Sequence, residues 1–196
     1  YLLHLATGQW GGTMILTGPP CGTYLGLLRP KAVPQGDGTY RISGQKIWSS
    51  YSDIAEYQEL LIRTQPGSQR HRGLSWLICD MRSPGITVRP IRNMAGATHF
   101  SEVFYDQVRI PLSNVVGALH DGWRVAMTTL GFERSTAATA LQLELLVKVD
   151  RLRHWVAEQP AQARDPALLQ ELAVLRAEAA ALRAMTYQTL FRDPAT

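Results

Sequence analysis

The sequence predicts an α+β chain: a small domain of strands, barrel or sandwich, followed by two antiparallel helices that look like half of a bundle. Two changes of pattern carry this prediction. From Gly12 to about Ile110, short runs rich in Val, Ile, Tyr, Phe and Trp are separated by Gly, Pro, Ser and Asp, as consecutive strands are. No helical period interrupts them, which suits a barrel or sandwich and not a doubly wound sheet. After Ile110-Pro111 the apolar spacing switches to steps of three and four, the period of an amphipathic helix.

The candidate strands cover residues 13–17, 39–43, 46–50, 59–64, 74–79, 86–91 and 102–108. Between them lie turn signals such as Gln35-Gly36-Asp37-Gly38, Gln65-Pro66-Gly67-Ser68 and Ser83-Pro84-Gly85, where Gly and Pro break a ladder. Residues 40–43 and 46–50 read as the arms of a hairpin turning at Gly44-Gln45. Alternation in its second arm puts Trp48 and Ser50 on one face, about 7 Å apart.

Asp121-Gly122 reads as the cap and turn opening the first helix. Its stripe is Trp123, Met127, Leu130, Arg134, Ala138, Leu141, Leu145, Val149, Leu152 and Val156. Pro160 breaks it, and Asp165-Pro166 supplies a cap and first-turn proline for a second helix. Leu168, Leu172, Leu175, Ala179, Leu182, Thr186 and Leu190 form the second stripe. A linker of roughly ten residues lets the two pack antiparallel, and each stripe is long enough to want further partners.

At 196 residues, 45% hydrophobic and 18% charged, the chain has an ordinary globular composition. No apolar run is long enough for a transmembrane helix and no signal-peptide pattern opens the chain, which predicts a cytoplasmic protein. Cys21 and Cys79 lack metal-type spacing and read as reduced thiols. The net charge of +4 is spread out, with only Arg70-His71-Arg72 clustered in a loop, so no nucleic-acid partner is predicted. His4, His71, His99, His120 and His154 show no ligand spacing or nucleophile context, and no metal site is predicted.

Three segments can carry chemistry. In Leu16-Thr17-Gly18-Pro19-Pro20-Cys21-Gly22-Thr23, Gly18-Pro19-Pro20 stops a strand after Thr17, and Gly22 lets backbone approach a ligand. In Gly44-Gln45-Lys46-Ile47-Trp48-Ser49-Ser50, an indole and a hydroxyl share a face; they suit either a core or a planar cofactor. In Gly131-Phe132-Glu133-Arg134, Arg134 falls on an apolar stripe, as an ion-pair anchor or at the mouth of a ligand pocket.

In this order and spacing the three segments resemble the acyl-CoA dehydrogenase family. The first is similar to its T-E-P-x-A-G-S-D-like motif, with Gly18 and Tyr24 where that motif has acidic residues. The second resembles G-x-K-x-W-I-T/S-N. The resemblance implies an antiparallel β-barrel and a partial helical bundle, truncated at both ends: residues 1–11 end a helical domain, 12–116 form the middle barrel and 117–196 begin the C-terminal bundle. It implies FAD as cofactor, with Met14, Leu16, Thr17, Trp48 and Ser50 along the flavin. Gly22, Thr23, Gly131, Phe132, Glu133 and Arg134 would border the substrate.

The implied activity is α,β-dehydrogenation of an acyl-CoA thioester to the 2-enoyl-CoA. A carboxylate takes the α-proton; a subset of relatives places that base at the position of Glu133, and many others place it in a later segment, beyond Thr196. Implied partners are acyl-CoA, an electron-transfer flavoprotein, and further subunits of a homo- or hetero-oligomer. The competing expectations are a non-catalytic subunit of a hetero-oligomeric dehydrogenase, favoured by Gly18, Tyr24 and an altered segment 159–166, and an acyl-CoA oxidase.

Overall fold

The structure, a computed structural model, describes residues 1–29, 31–161 and 165–191; the side chains of 134–138 and 190 lie outside that description. The chain divides into two units, Tyr1–Met127 and Thr128–Thr196. The first holds helix α1 (Leu2–Ala6) and strands β1 (Gly12–Ile15), β2 (Lys31–Pro34), β3 (Thr39–Ser50) and β4 (Tyr57–Arg63). It continues with β5 (Leu74–Asp80), β6 (Ile86–Ile91), β7 (Phe100–Pro111) and β8 (Val115–Val116). All eight strands join one sheet, ordered β6-β7-β3-β2-β4-β5-β8, with β1 paired to β4. Pairing is antiparallel except for β1 with β4 and the single Lys31–Arg63 pair of β2 with β4. The expected α+β class holds.

The expected hairpin does not. β3 runs straight through Gly44-Gln45, which pair with Tyr105 and Phe104 of β7. Gly44, at φ 142°, absorbs a ladder irregularity after Ile42, so the strand bends without reversing. β2 and β8 carry no strand signal of their own. β2 ends in Pro34 and forms because β3 offers residues 40–43 as an antiparallel edge; β8 is two residues set against Trp76 and Leu77.

Strand alternation sorts side chains into two cores. Ile15, Ala32, Ile42, Leu60, Ile62, Leu77, Val103, Val108 and Ile110 fill one. Leu61, Leu74 and Trp76 face the other, where Cys21, Leu25, Leu28 and Ala126 pack on the sheet. Burying each large apolar side chain contributes about 1.5–3 kcal/mol. The second core fastens residues 16–28 and the first turn of helix α2 (Gly122–Glu158) to β4 and β5. Gly122 makes that start possible, since a Cβ there would sit 2.4 Å from the Ser75 carbonyl carbon.

In the second unit α2 continues to Glu158, and α3 spans Pro166–Phe191. Asp165 caps α3 as expected, its Oδ1 accepting the Ala167 N–H at 2.9 Å. Buried positions are Gln142, Val149 and Val156 on α2, and Leu172, Ala179 and Thr186 on α3. Each set steps by seven, the spacing of a coiled-coil seam. Val149, Val156 and Leu172 form its apolar cluster, and Arg176 Nε donates to Asp150 Oδ1 across the pair at 3.3 Å.

Candidate functional site

β1 and the end of β3 lie in contact without a ladder between them, and three bonds tie β3 to β1 and the two residues after it, while a fourth reaches β4. The Thr13 hydroxyl donates to the Ser50 carbonyl at 2.5 Å. The Ile47 N–H donates to the Thr17 carbonyl at 3.0 Å. The Lys46 ammonium donates to the Leu16 carbonyl at 2.5 Å and to the Leu61 carbonyl at 2.6 Å. These ties bring Met14, Leu16, Thr17, Trp48 and Ser50 into one neighbourhood. Lys46 is fully buried; its burial pushes the ammonium down to about 7, against a smaller opposing effect of Cys21.

A bulge decides which way Trp48 faces. Lys46 pairs with Val103 and Ser49 with Ser101, so three steps on β3 oppose two on β7. Upstream, Tyr40, Ile42 and Lys46 are buried; downstream, Ser49 is buried between exposed Trp48 and half-buried Ser50. Uninterrupted alternation from Lys46 would send Trp48 inward. Instead Trp48 takes φ 63°, is 57% exposed, and meets Phe100 edge-on with ring centroids 6.1 Å apart. A left-handed tryptophan costs on the order of 1 kcal/mol or more, and the ladder on either side holds it there.

The loop after β1 is organised around Cys21. Its thiol accepts the Gly18 N–H at 3.1 Å and donates to the Gly18 carbonyl at 3.0 Å. Gly18 is buried against Cys21 and Leu28, where a carboxylate would have little room. Gly22 adopts φ 46° with open space where a Cβ would stand, and Thr23 beside it is exposed. Arg63 pins the far end of the segment, donating to the carbonyls of Gly26 at 2.9 Å and Leu28 at 3.2 Å. Its other donors hold the 68–72 loop through Ser68, Arg70 and Arg72. That loop carries His71, stacked on Trp123 at 3.7 Å and met edge-on by Tyr24 at 5.5 Å.

Two clefts open beside these elements. One of about 480 Å³ lies between Pro19-Pro20 and Gly44-Gln45; another of about 380 Å³ is lined by Ser50, Tyr51, Asp53, Ile54, His99 and Phe100. In the second unit, Gly131, Phe132 and Glu133 are consecutive, exposed positions of α2. The Arg134 side chain lies outside the described residues. Among the described residues no cluster of His, Cys, Asp or Glu could hold a metal ion, and no helix is long and apolar enough to cross a membrane. Sequence reasoning missed the supporting roles of Lys46, Cys21 and Arg63. Lys46 had a signal: it shares the parity of Tyr40 and Ile42, a charge on the apolar side of a strand.

Residues 13–108 match the family model for the acyl-CoA dehydrogenase middle domain, and residues 120–192 match that for the C-terminal domain. The chain belongs to the acyl-CoA dehydrogenase family. The named dehydrogenases of this family are FAD-dependent oxidoreductases. Acyl-CoA dehydrogenase FadE34 of Mycobacterium tuberculosis is 39% identical over 173 residues, covering 86% of this chain and 24% of that protein. A chain of the ChsE4-ChsE5 complex from Mycobacterium tuberculosis superposes with a TM-score of 0.76 at 30% identity, covering 96% of this chain and 49% of that one. A chain of the Tcur3481-Tcur3483 steroid acyl-CoA dehydrogenase gives a TM-score of 0.78 at 29% identity, covering 96% and 48%. The chain thus spans about half of each of these solved chains.

Proposed function

We propose that this chain supplies the flavin wall and part of the substrate border of an enzyme that dehydrogenates an acyl-CoA thioester between its α and β carbons. The observation that carries the reading is the bulge that turns Trp48 out of the core beside Ser50, while two bonds tie this stretch to Leu16 and Thr17. The residues fit a flavin. Trp48 presents an exposed indole to a planar ring, and Met14 and Leu16 are half-buried apolar neighbours. Among the described residues the Thr17 and Ser50 hydroxyls have no protein hydrogen-bond partner, which leaves them for polar ring edges. Gly22 leaves space for close backbone approach.

Bound FAD supplies the acceptor for the β-hydrogen as hydride. The α-proton needs a carboxylate, and Glu133 is the candidate within this chain, followed by Arg134 as a candidate border of the thioester channel. Acyl-CoA is the substrate class, an electron-transfer flavoprotein the acceptor, and an oligomer the working form. A second reading, a non-catalytic subunit beside a catalytic partner, is favoured by Gly18 and Tyr24 in place of acids; the ChsE4-ChsE5 relative is itself a complex.

The test is an anaerobic titration of the product of the full reading frame with acyl-CoAs of several lengths, following the visible flavin band. Bleaching is expected, with its loss in Glu133→Gln. A bound flavin that never bleaches selects the non-catalytic subunit. Oxygen consumption during turnover separates an oxidase from a dehydrogenase.

A further inference from the structure

The flavin reading leaves the buried Lys46 without a role. Lys46 is 0% exposed, and its ammonium is spent on two main-chain carbonyls, Leu16 from the loop after β1 and Leu61 from β4. For packing alone an apolar side chain of similar volume serves as well, because a buried charge must first be stripped of water. What the ammonium adds is direction. The peptide bond is planar and trans, so drawing the Leu16 carbonyl towards Lys46 turns the Thr17 N–H the opposite way. The Thr17 carbonyl is already engaged by Ile47 N–H, one residue beyond Lys46. Both carbonyls around Thr17 are therefore fixed from consecutive residues of β3, which runs on directly into the Trp48 bulge.

We infer that Lys46 is a positioning residue, a strut from β3 to the Leu16 carbonyl that aims the Thr17 N–H and hydroxyl at the flavin and fixes the spacing between the Thr17 and Trp48 walls. This rests on the flavin reading above. The strut touches no reacting atom. Its effect is on the affinity and environment of the cofactor, and on the order of residues 16–24.

Lys46→Met keeps an unbranched side chain, one atom shorter, and removes the donors; Lys46→Gln has the same reach as Met and keeps one donor nitrogen. Ile110→Ala, a core cavity at the other end of β3, serves as the control for lost stability. In the full-length protein we expect Lys46→Met to weaken FAD affinity at least tenfold by fluorescence titration, and to speed amide exchange across residues 16–24 at least tenfold. Lys46→Gln weakens FAD affinity and speeds loop exchange by a smaller factor, and it carries the test alone where Lys46→Met does not fold. Ile110→Ala lowers the melting temperature and leaves affinity and loop exchange unchanged. A wild type that binds FAD, with Lys46 variants of unchanged affinity and unchanged loop exchange, overturns the strut alone. An effect of equal size in Ile110→Ala does the same. A wild type that binds no FAD, with loop exchange still dependent on Lys46, overturns the flavin reading and the aim assigned to the strut.

Discussion

Two cations sit inside the first unit without a carboxylate among their hydrogen-bond partners: Lys46 on two carbonyls, and Arg63, 9% exposed, on five carbonyls and one hydroxyl. Each holds one end of the segment 16–28, so the loop owes its shape to buried charge as much as to its own turns. Burial leaves a mark on pH dependence. The unfolded lysine titrates at 10.5 and the folded one near 7. Between those values the unfolded chain binds more protons, so stability rises with pH through the window by at most about 1.4 kcal/mol per unit. Denaturant midpoints from pH 7 to 8.5 should climb in the wild type and climb less in Lys46→Met. Higher pH brings in Cys79, whose thiol is pushed up to about 11 by burial and acts in the opposite sense. An identical slope in both proteins would remove Lys46 from the account.

The helices show how far one period can be followed. Their existence, their break at Pro160 and the Asp165 cap were legible because spacing, caps and prolines are local signals. The seam was legible only in part. Val149, Val156, Leu172 and Ala179 lie on the expected stripes and are buried, but Leu141, Leu145, Leu175 and Leu182 on the same stripes stay 41–69% exposed. A stripe wide enough for several neighbours meets only one here. Gln142 was missed; it is 2% exposed at a seam position and its amide nitrogen has no partner among the described residues. Gln142→Leu should stabilise the helical unit by about 1 kcal/mol, and Leu172→Ala should cost about 2–4 kcal/mol, both read from thermal unfolding. In the sheet, β2 was illegible for another reason: its place is set by the edge of β3, not by its own residues. The candidate residues on β1 and β3 were chosen by residue type, but the turn of Trp48 depended on a ladder with β7 that no local pattern reveals.

Each unit exposes apolar surface that it does not cover itself. In the helical unit these include Phe132, Leu141, Trp155, Val174, Met185 and Phe191, each more than 50% exposed; in the first unit Leu2, Leu3 and Ile54 are at least 70% exposed. Contiguous apolar surface of this kind marks places that other protein covers, and the chain spans about half the length of its solved relatives. Residues 1–196 produced alone should therefore self-associate, bind a hydrophobic dye and hold FAD weakly. Light scattering during size exclusion is the check, and a dye-silent monomer with tightly held FAD would contradict it. The extra residue in β3 gives the first unit an economy of another kind. It works as a parity switch: upstream, the even-numbered Tyr40, Ile42 and Lys46 are inside; downstream, Ser49 is inside and Trp48 is out, so one strand builds the core with its first half and turns an indole outward with its second. Loss of a single residue between Lys46 and Ser49 would leave a strand still able to pair with β7, yet would turn its recognition half inside out, separating the ability to fold from the ability to bind.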